Sequence, residues 1–297
     1  MRILTGTASW TDPTLLACGR FYPPGVRSPE ARLRYYASRF PMVEVDATYY
    51  RLLDGHTAYL WANRTPDDFV FHVKAFRLFT GHATPLATLP PDIRRELDDT
   101  PTVFYHQLPA SLQHELWQRF LMAVEPLRMA GKLRAIHFQF APWVHRSPRS
   151  VALLRACEQH MQGHLMAVEF RHRSWFHTGT ATTWTLDFLR DAGMVHTVVD
   201  APQIGDNTVP AVWASTHPDL AVLRLHGRNK AAWNSHTQAS SGRFQYEYSS
   251  HELAQIAERL KRLAEHVRSA HAVLNTNHED QGMRNAAGLA AALRDKK

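Results

Sequence analysis

The chain has 297 residues, 44% of them hydrophobic and 21% charged. That balance suits an ordered globular protein and excludes a disordered or collagen-like one, and the run of about 18 apolar residues that a membrane span needs is absent. Lys and Arg total 34 against 27 for Asp and Glu, with 19 histidines, for a net charge of +7. The positive field points to an anionic partner, either a small molecule or a nucleic acid. Cys18 and Cys157 form no CxxC pair and no zinc spacing. Met1-Arg2-Ile3-Leu4 runs into a strand pattern without a basic-then-apolar leader. Both features lead to the expectation of a reducing cytoplasm and no membrane association.

In chain order, eight short apolar runs read as buried strands: Ile3–Thr7, Val43–Ala47, Phe69–Lys74, Ala135–Gln139, Leu165–Phe170, Val195–Val199, Ala221–Leu225 and Ala272–Thr276. Near-continuous apolar runs are what a parallel sheet covered on both faces requires. Helical patterns lie between them. Ser28-Pro29-Glu30 offers a cap, a first-turn proline and an acid at the positive end of the dipole, and Leu33, Tyr36, Ala37 and Phe40 follow at helical spacing. The long third connection, Phe76 to Lys132, contains a clear helix from Ser111 to Leu127 with Leu112, Leu116 and Phe120 on its apolar side. Ser147-Pro148 opens another helix, and Gly193 closes one that starts near Thr183. Ser249 with Glu252 is a capping box before the stripe Leu253, Ile256, Ala257, Leu260, Leu263 and Val267. Eight strands alternating with helices predict a TIM-type (β/α)8 barrel in one domain, residues 1–297, with a doubly wound open sheet as the alternative.

In such a barrel the working groups stand at the carboxyl ends of the strands. The polar residues there are Glu44 and Asp46, His72 and Lys74, His137 and Gln139, Glu169 and Arg171, Asp200, Arg224 and His226, then Asn275, Asn277 and His278. Desolvated charges demand partners, so these groups should form a network or face a wet mouth.

The same segments resemble the DUF72 family, also called YecE-like proteins, along the whole chain. The resemblance is carried by Gly6-Thr7-Ala8-Ser9-Trp10, Phe21-Tyr22-Pro23, Val43-Glu44-Val45-Asp46-Ala47-Thr48-Tyr49-Tyr50-Arg51 and Phe69 to Ala75. Further along it rests on Val168-Glu169-Phe170-Arg171-His172, Ser174-Trp175, Arg224-Leu225-His226-Gly227, Asn277-His278 and Asn285-Ala286. It implies a TIM-like barrel, similar at fold level to the sugar-isomerase and endonuclease IV group, and a family of unknown function. The family's Asn-Ser-Thr-Phe-Tyr is here Asp46-Ala47-Thr48-Tyr49-Tyr50, which adds a negative charge at the mouth.

Two constellations compete for the mouth. Glu169, Asp200, His226 and His278 could hold Mn²⁺, Mg²⁺ or Zn²⁺, which would polarise a phosphoryl or carbonyl oxygen. Lys74, Arg171 and Arg224 would instead form an anion pocket. Glu44, Asp46, Glu169 and His226 are the acid–base candidates. Trp10, Tyr49, Trp175 and Trp233, with Gln139 and Asn277, are candidate substrate contacts, the aromatics by stacking on a sugar or base. Tyr50 and Trp143 extend this aromatic rim, and the polar segment Gly227–Gly242 has the composition of a lid. No GxGxxG, P-loop or GxSxG motif is present. The leading expectation is an enzyme of hydrolase or isomerase type acting on a phosphorylated or other small anion. The alternative is a non-catalytic nucleic-acid or metabolite binder.

Overall fold

The eight apolar runs become eight parallel strands that close on themselves. The structure, a computed structural model, describes residues 2–233 and 240–295. The strands are β1 (Arg2–Ala8), β2 (Met42–Val45), β3 (Val70–Lys74), β4 (Leu133–Gln139), β5 (Met166–Glu169), β6 (Val195–Asp200), β7 (Leu220–Leu225) and β8 (Ser269–Leu274). Each pairs in parallel with its neighbour in sequence, and β8 returns to β1. Closure selects the barrel over the open sheet.

Among the described residues seven longer helices surround it: α1 (Pro29–Ala37), α2 (Gly55–Asn63), α3 (Ala110–Met129), α4 (Pro148–His160), α5 (Gly179–Asp191), α6 (Ser250–Ala264) and α7 (Gln281–Arg294). Their starts follow the capping chemistry. Ser28 accepts from the Ala31 N–H, Ser147 from Ser150, and Ser249 and Glu252 complete a capping box. Thr178 caps α5 four residues ahead of the expected start, accepting from the Ala181 N–H.

The alternation breaks once, contrary to the reading of a helix after every strand. Residues 201–219 join β6 to β7 without a helix. This strap is held by side chains instead: His196 on β6 bonds through Nε2 to the Val212 carbonyl at 2.9 Å, and the Arg259 guanidinium of α6 lies 5.3 Å from the Trp213 ring centroid. The long third connection builds a two-stranded ladder, Thr84–Pro85 against Thr102–Val103, before α3. It is pinned by Phe79 stacked on Trp117 at 3.7 Å and by the Trp117 Nε1–H donated to the Tyr105 hydroxyl at 2.9 Å.

Residues of alternate parity fill the lumen. Near the amino ends of the strands the filling is apolar, with Ala135, Ala167, Val195, Leu220 and Val222 in one cluster, and a second cluster of Leu4, Ala8, Met42 and Val273 climbs the β1 side to the level of Glu44 and Arg224. Higher up, His72 and His271 meet ring to ring, Nε2 to Nδ1 at 2.8 Å. Above them the filling becomes ionic. Apolar packing therefore closes the bottom and leaves the polar groups at the carboxyl mouth.

Candidate functional site

Arg224 on β7 is fully buried in the upper lumen. Its Nη2 donates to Glu44 Oε1 on β2 at 2.5 Å, and its Nη1 to Glu169 Oε2 on β5 at 2.7 Å and Gln139 Oε1 on β4 at 3.1 Å. The planar fork thus ties four strands together, a geometry lysine would not reproduce. Burial disfavours its charge, but Glu44, Glu169 and Asp46 outweigh that and raise its pKa. Glu169 is the mirror case. Burial pushes its carboxyl up, yet Arg224, His226 and His137 hold it well below the usual carboxylate range.

His226 stands on the other side of Glu169. A carboxylate only accepts, so His226 Nε2 donates to Glu169 Oε1 at 3.0 Å, and Nδ1 accepts from Asn275 Nδ2 at 2.8 Å. Both ring nitrogens are then satisfied in the neutral form, and burial pushes the imidazole down to about 4. His137 Nε2 and Arg171 Nη1 complete the ring around Glu169, at 3.3 and 3.5 Å.

Above this floor opens a cavity of about 470 Å³. Asp46, Lys74, Gln139, Arg171 and Asn275 line it from the strand ends, and Tyr49, Tyr50, Arg77, His82, Trp143, Trp233, Arg243 and Phe244 from the loops. Among the described residues four cations, Lys74, Arg77, Arg171 and Arg243, thus line it with one carboxylate, Asp46. The backbone explains that carboxylate's direction. Asp46 precedes the short helix Ala47–Tyr50 without capping it, and its Oδ1 sits 3.3 Å from Lys74 Nζ. Burial pushes Asp46 up, but Lys74 and Arg224 hold it below its ordinary value, so it is ionised at neutral pH. Thr48 donates to the Lys74 carbonyl at 2.6 Å, which fixes the helix on β3.

Aromatic faces seat the cations. Lys74 Nζ and the Arg77 guanidinium lie 4.8 and 5.3 Å from the Tyr49 ring centroid, and Arg171 lies 4.8 Å from that of Trp233. Burial raises the Tyr49 phenol to about 12. Burial, with Arg77, Lys74 and Arg171 nearby, lowers His82 to about 3, so this imidazole is neutral. Asn275 Oδ1 is buried without a hydrogen-bond partner among the described residues, while Asp46 Oδ1 faces Lys74 Nζ. Both are acceptors at the base of a cationic cup.

The structure sorts the sequence candidates. Tyr49, Lys74, Gln139, Arg171 and Trp233 line the cavity. Arg224 lies beneath it and is neutralised by carboxylates, and Arg77 and Arg243 join Lys74 and Arg171 as the cations that line the cavity. Trp10 and Trp175 belong to the core. Trp10 packs edge-on to Trp61 at 5.4 Å, while Trp175 stacks on Phe170 at 4.0 Å and donates Nε1–H to the Val144 carbonyl at 2.8 Å. Asn277 turns away to donate to Asp12 Oδ2 at 3.2 Å, and Asn275 takes the lumen position. Among the acid–base candidates Asp46 reaches the cavity, while Glu44, Glu169 and His226 support it from below. Residues 234–239 of the expected lid lie outside the described residues.

The expected metal set does not converge. Asp200 has the wrong parity: Val199 pairs beside Arg224 on the lumen side, and Asp200 faces the helices. There it takes Arg228 Nη2 at 2.8 Å and the Tyr248 hydroxyl at 2.7 Å. His278 is half-buried in the turn before α7, and Glu169 is already engaged by Arg224, His226 and Arg171. Among the described residues no group of three or more His, Cys, Asp or Glu is placed to hold a metal ion. Arg77 and Arg243 escaped the sequence reading because they lie in short 3-10 turns of the βα connections, Arg77–Thr80 and Ser240–Phe244, where no strand period marks a residue as inward-facing.

Fold and site together define a (β/α)8 barrel protein with a buried Glu–Arg–Glu network beneath a cationic, aromatic-lined mouth. Residues 4–297 match the model of a family described as "Protein of unknown function DUF72", and the chain belongs to that family. It is 31% identical over 278 residues to UPF0759 protein YunF of Bacillus subtilis (strain 168), covering 93% of this chain and 89% of that one. A solved DUF72 family protein from Enterococcus faecalis V583 superimposes with a TM-score of 0.80 at 24% identity, covering 99% of this chain and 96% of that one. One from Thermotoga maritima MSB8 gives 0.78 at 25% identity, covering 99% and 100%. Among the described residues no helix is long and apolar enough to cross a membrane.

Proposed function

We propose that the mouth cavity binds a small hydroxylated anion, of the class of phosphorylated sugars, and that Asp46 is the group placed for general-base chemistry on it. The observation that carries this reading is the convergence of Lys74, Arg77, Arg171 and Arg243 on one cavity with a single carboxylate. Arginine forks suit the phosphate oxygens, and the lysine adds a point charge. The ligand's hydroxyls find an acceptor in the Asp46 carboxylate, which lines the cavity beside Lys74. An ionised carboxylate held beside a lysine is suited to take a proton rather than give one. The Glu44–Arg224–Glu169 network positions the strand ends and does not touch the ligand. A cavity of about 470 Å³ falls within the range of small-molecule sites.

The reading is tested by calorimetric titration with ribose 5-phosphate at fixed ionic strength. Arg171→Met and Arg243→Met should each weaken binding by about tenfold, the worth of a charge-assisted contact. Unchanged affinity in both variants would contradict it.

A further inference from the structure

The third connection is far longer than a β-to-α crossover requires, and the anion site does not account for its ladder or its aromatic turn. That excursion, together with the start of α4, encloses a second cleft of about 610 Å³, lined mostly by apolar surface. Its walls include Phe104, Tyr105 and His106 from the excursion, and Val144 and Leu153 from the β4–α4 segment. The two cavities share Trp143. This residue is 54% exposed, although it is a tryptophan held in one orientation. Its Nε1–H donates to the Gly81 carbonyl at 2.9 Å, and its ring meets His82 edge-on at 5.6 Å. Trp143 is thus a fixed partition, with His82 lining the cationic cup and Gly81 lining the apolar cleft. Gly81 has φ +81°, and a Cβ there would press on Val144 Cγ2 at 3.0 Å, so the contact that seats the indole depends on glycine.

We infer that the cleft is a second subsite of the mouth, and that the ligand carries a flat aromatic group that crosses Trp143 while its anionic end sits among the cations. This rests on the anion reading above and deepens it. The lining favours a ring over an alkyl chain, because Trp143, Phe104 and His106 offer π-faces and edges for stacking. Barrel enzymes and binders commonly enlarge their βα loops to shape the ligand's distal part, which gives the excursion a purpose the barrel itself does not.

The test compares two probes with the same anionic end, ribose 5-phosphate and adenosine 5′-monophosphate, in calorimetric titrations. The wild-type chain should bind the nucleotide about tenfold more tightly, as stacking of one base warrants. Leu153→Arg places a charged side chain in the cleft, and Phe104→Ala removes a wall. Each should erase most of that gain and leave ribose 5-phosphate affinity within about twofold. Circular dichroism confirms folding, and the two variants stand on different elements, so a misfolded one leaves the other to decide. If ribose 5-phosphate binds and the nucleotide gains nothing, or the gain survives both variants, the subsite is overturned while the anion reading stands. If neither probe binds the wild-type chain, both readings fall.

Discussion

Arg224 is the residue on which the upper lumen depends. It compensates two buried carboxylates, and removing one partner of such a set leaves charge in a low dielectric without relief. Arg224→Met should lower stability by about 3–5 kcal/mol in urea unfolding, and adding Glu44→Gln and Glu169→Gln should recover part of it. A loss below about 1 kcal/mol would mean the network is not compensating charge. The polar strand ends were legible in the sequence because side chains alternate along a strand. Glu44, Lys74, Gln139, Glu169, Arg171 and Arg224 all occupy the expected region. The parity of β6 was harder to read: every residue from Val195 to Asp200 is buried, so burial could not tell lumen from helix layer. Aromatic identity was equally silent, since Trp175 in the core and Trp233 at the mouth differ only in tertiary context.

At the scale of elements, the β7–α6 connection carries much of the mouth. Trp233, Arg243 and Phe244 all hang from it. Its root is fixed by Arg228, which joins Asp200 and Glu252, and by the Gly227 N–H donated to the Tyr248 hydroxyl at 2.9 Å. Gly227 has φ +85°, and a Cβ would approach Tyr246 Cβ to 2.4 Å. Gly227→Ala should therefore cost more than about 1 kcal/mol and weaken anion binding together with stability. A variant of wild-type stability and affinity would show that this turn does not position the loop. Strands and capped helices were foreseeable here, each within a few residues, because their signals are local. The missing helix between β6 and β7 was not, since its place is taken by a strap held through His196, Trp213 and Val209. Such long-range contacts leave no periodic trace.

Across the whole molecule the same burial that shapes the lumen sets a pH limit. His82 and His271 are pushed down to about 3, and His196 and His226 to about 4, chiefly by burial, and His72 is lowered as well. A histidine whose folded pKa lies below its unfolded value stabilises the fold while neutral. That stability drains as pH falls below about 6.5, because the unfolded chain takes up the proton first, and each such histidine removes up to about 1.4 kcal/mol per pH unit. Asp46 and Glu169, lowered in the fold, add to the loss only below about pH 4.5. The melting temperature should therefore fall steeply from about pH 7 to about pH 5, ahead of the carboxylate range. A flat profile there would mean these rings are hydrated rather than buried. The place of the anion can be read directly from a crystal structure of the chain grown with ribose 5-phosphate. The phosphate should lie within hydrogen-bond reach of Lys74, Arg77 and Arg171 at the carboxyl mouth. A phosphate bound elsewhere, with the mouth filled only by water, would contradict the account.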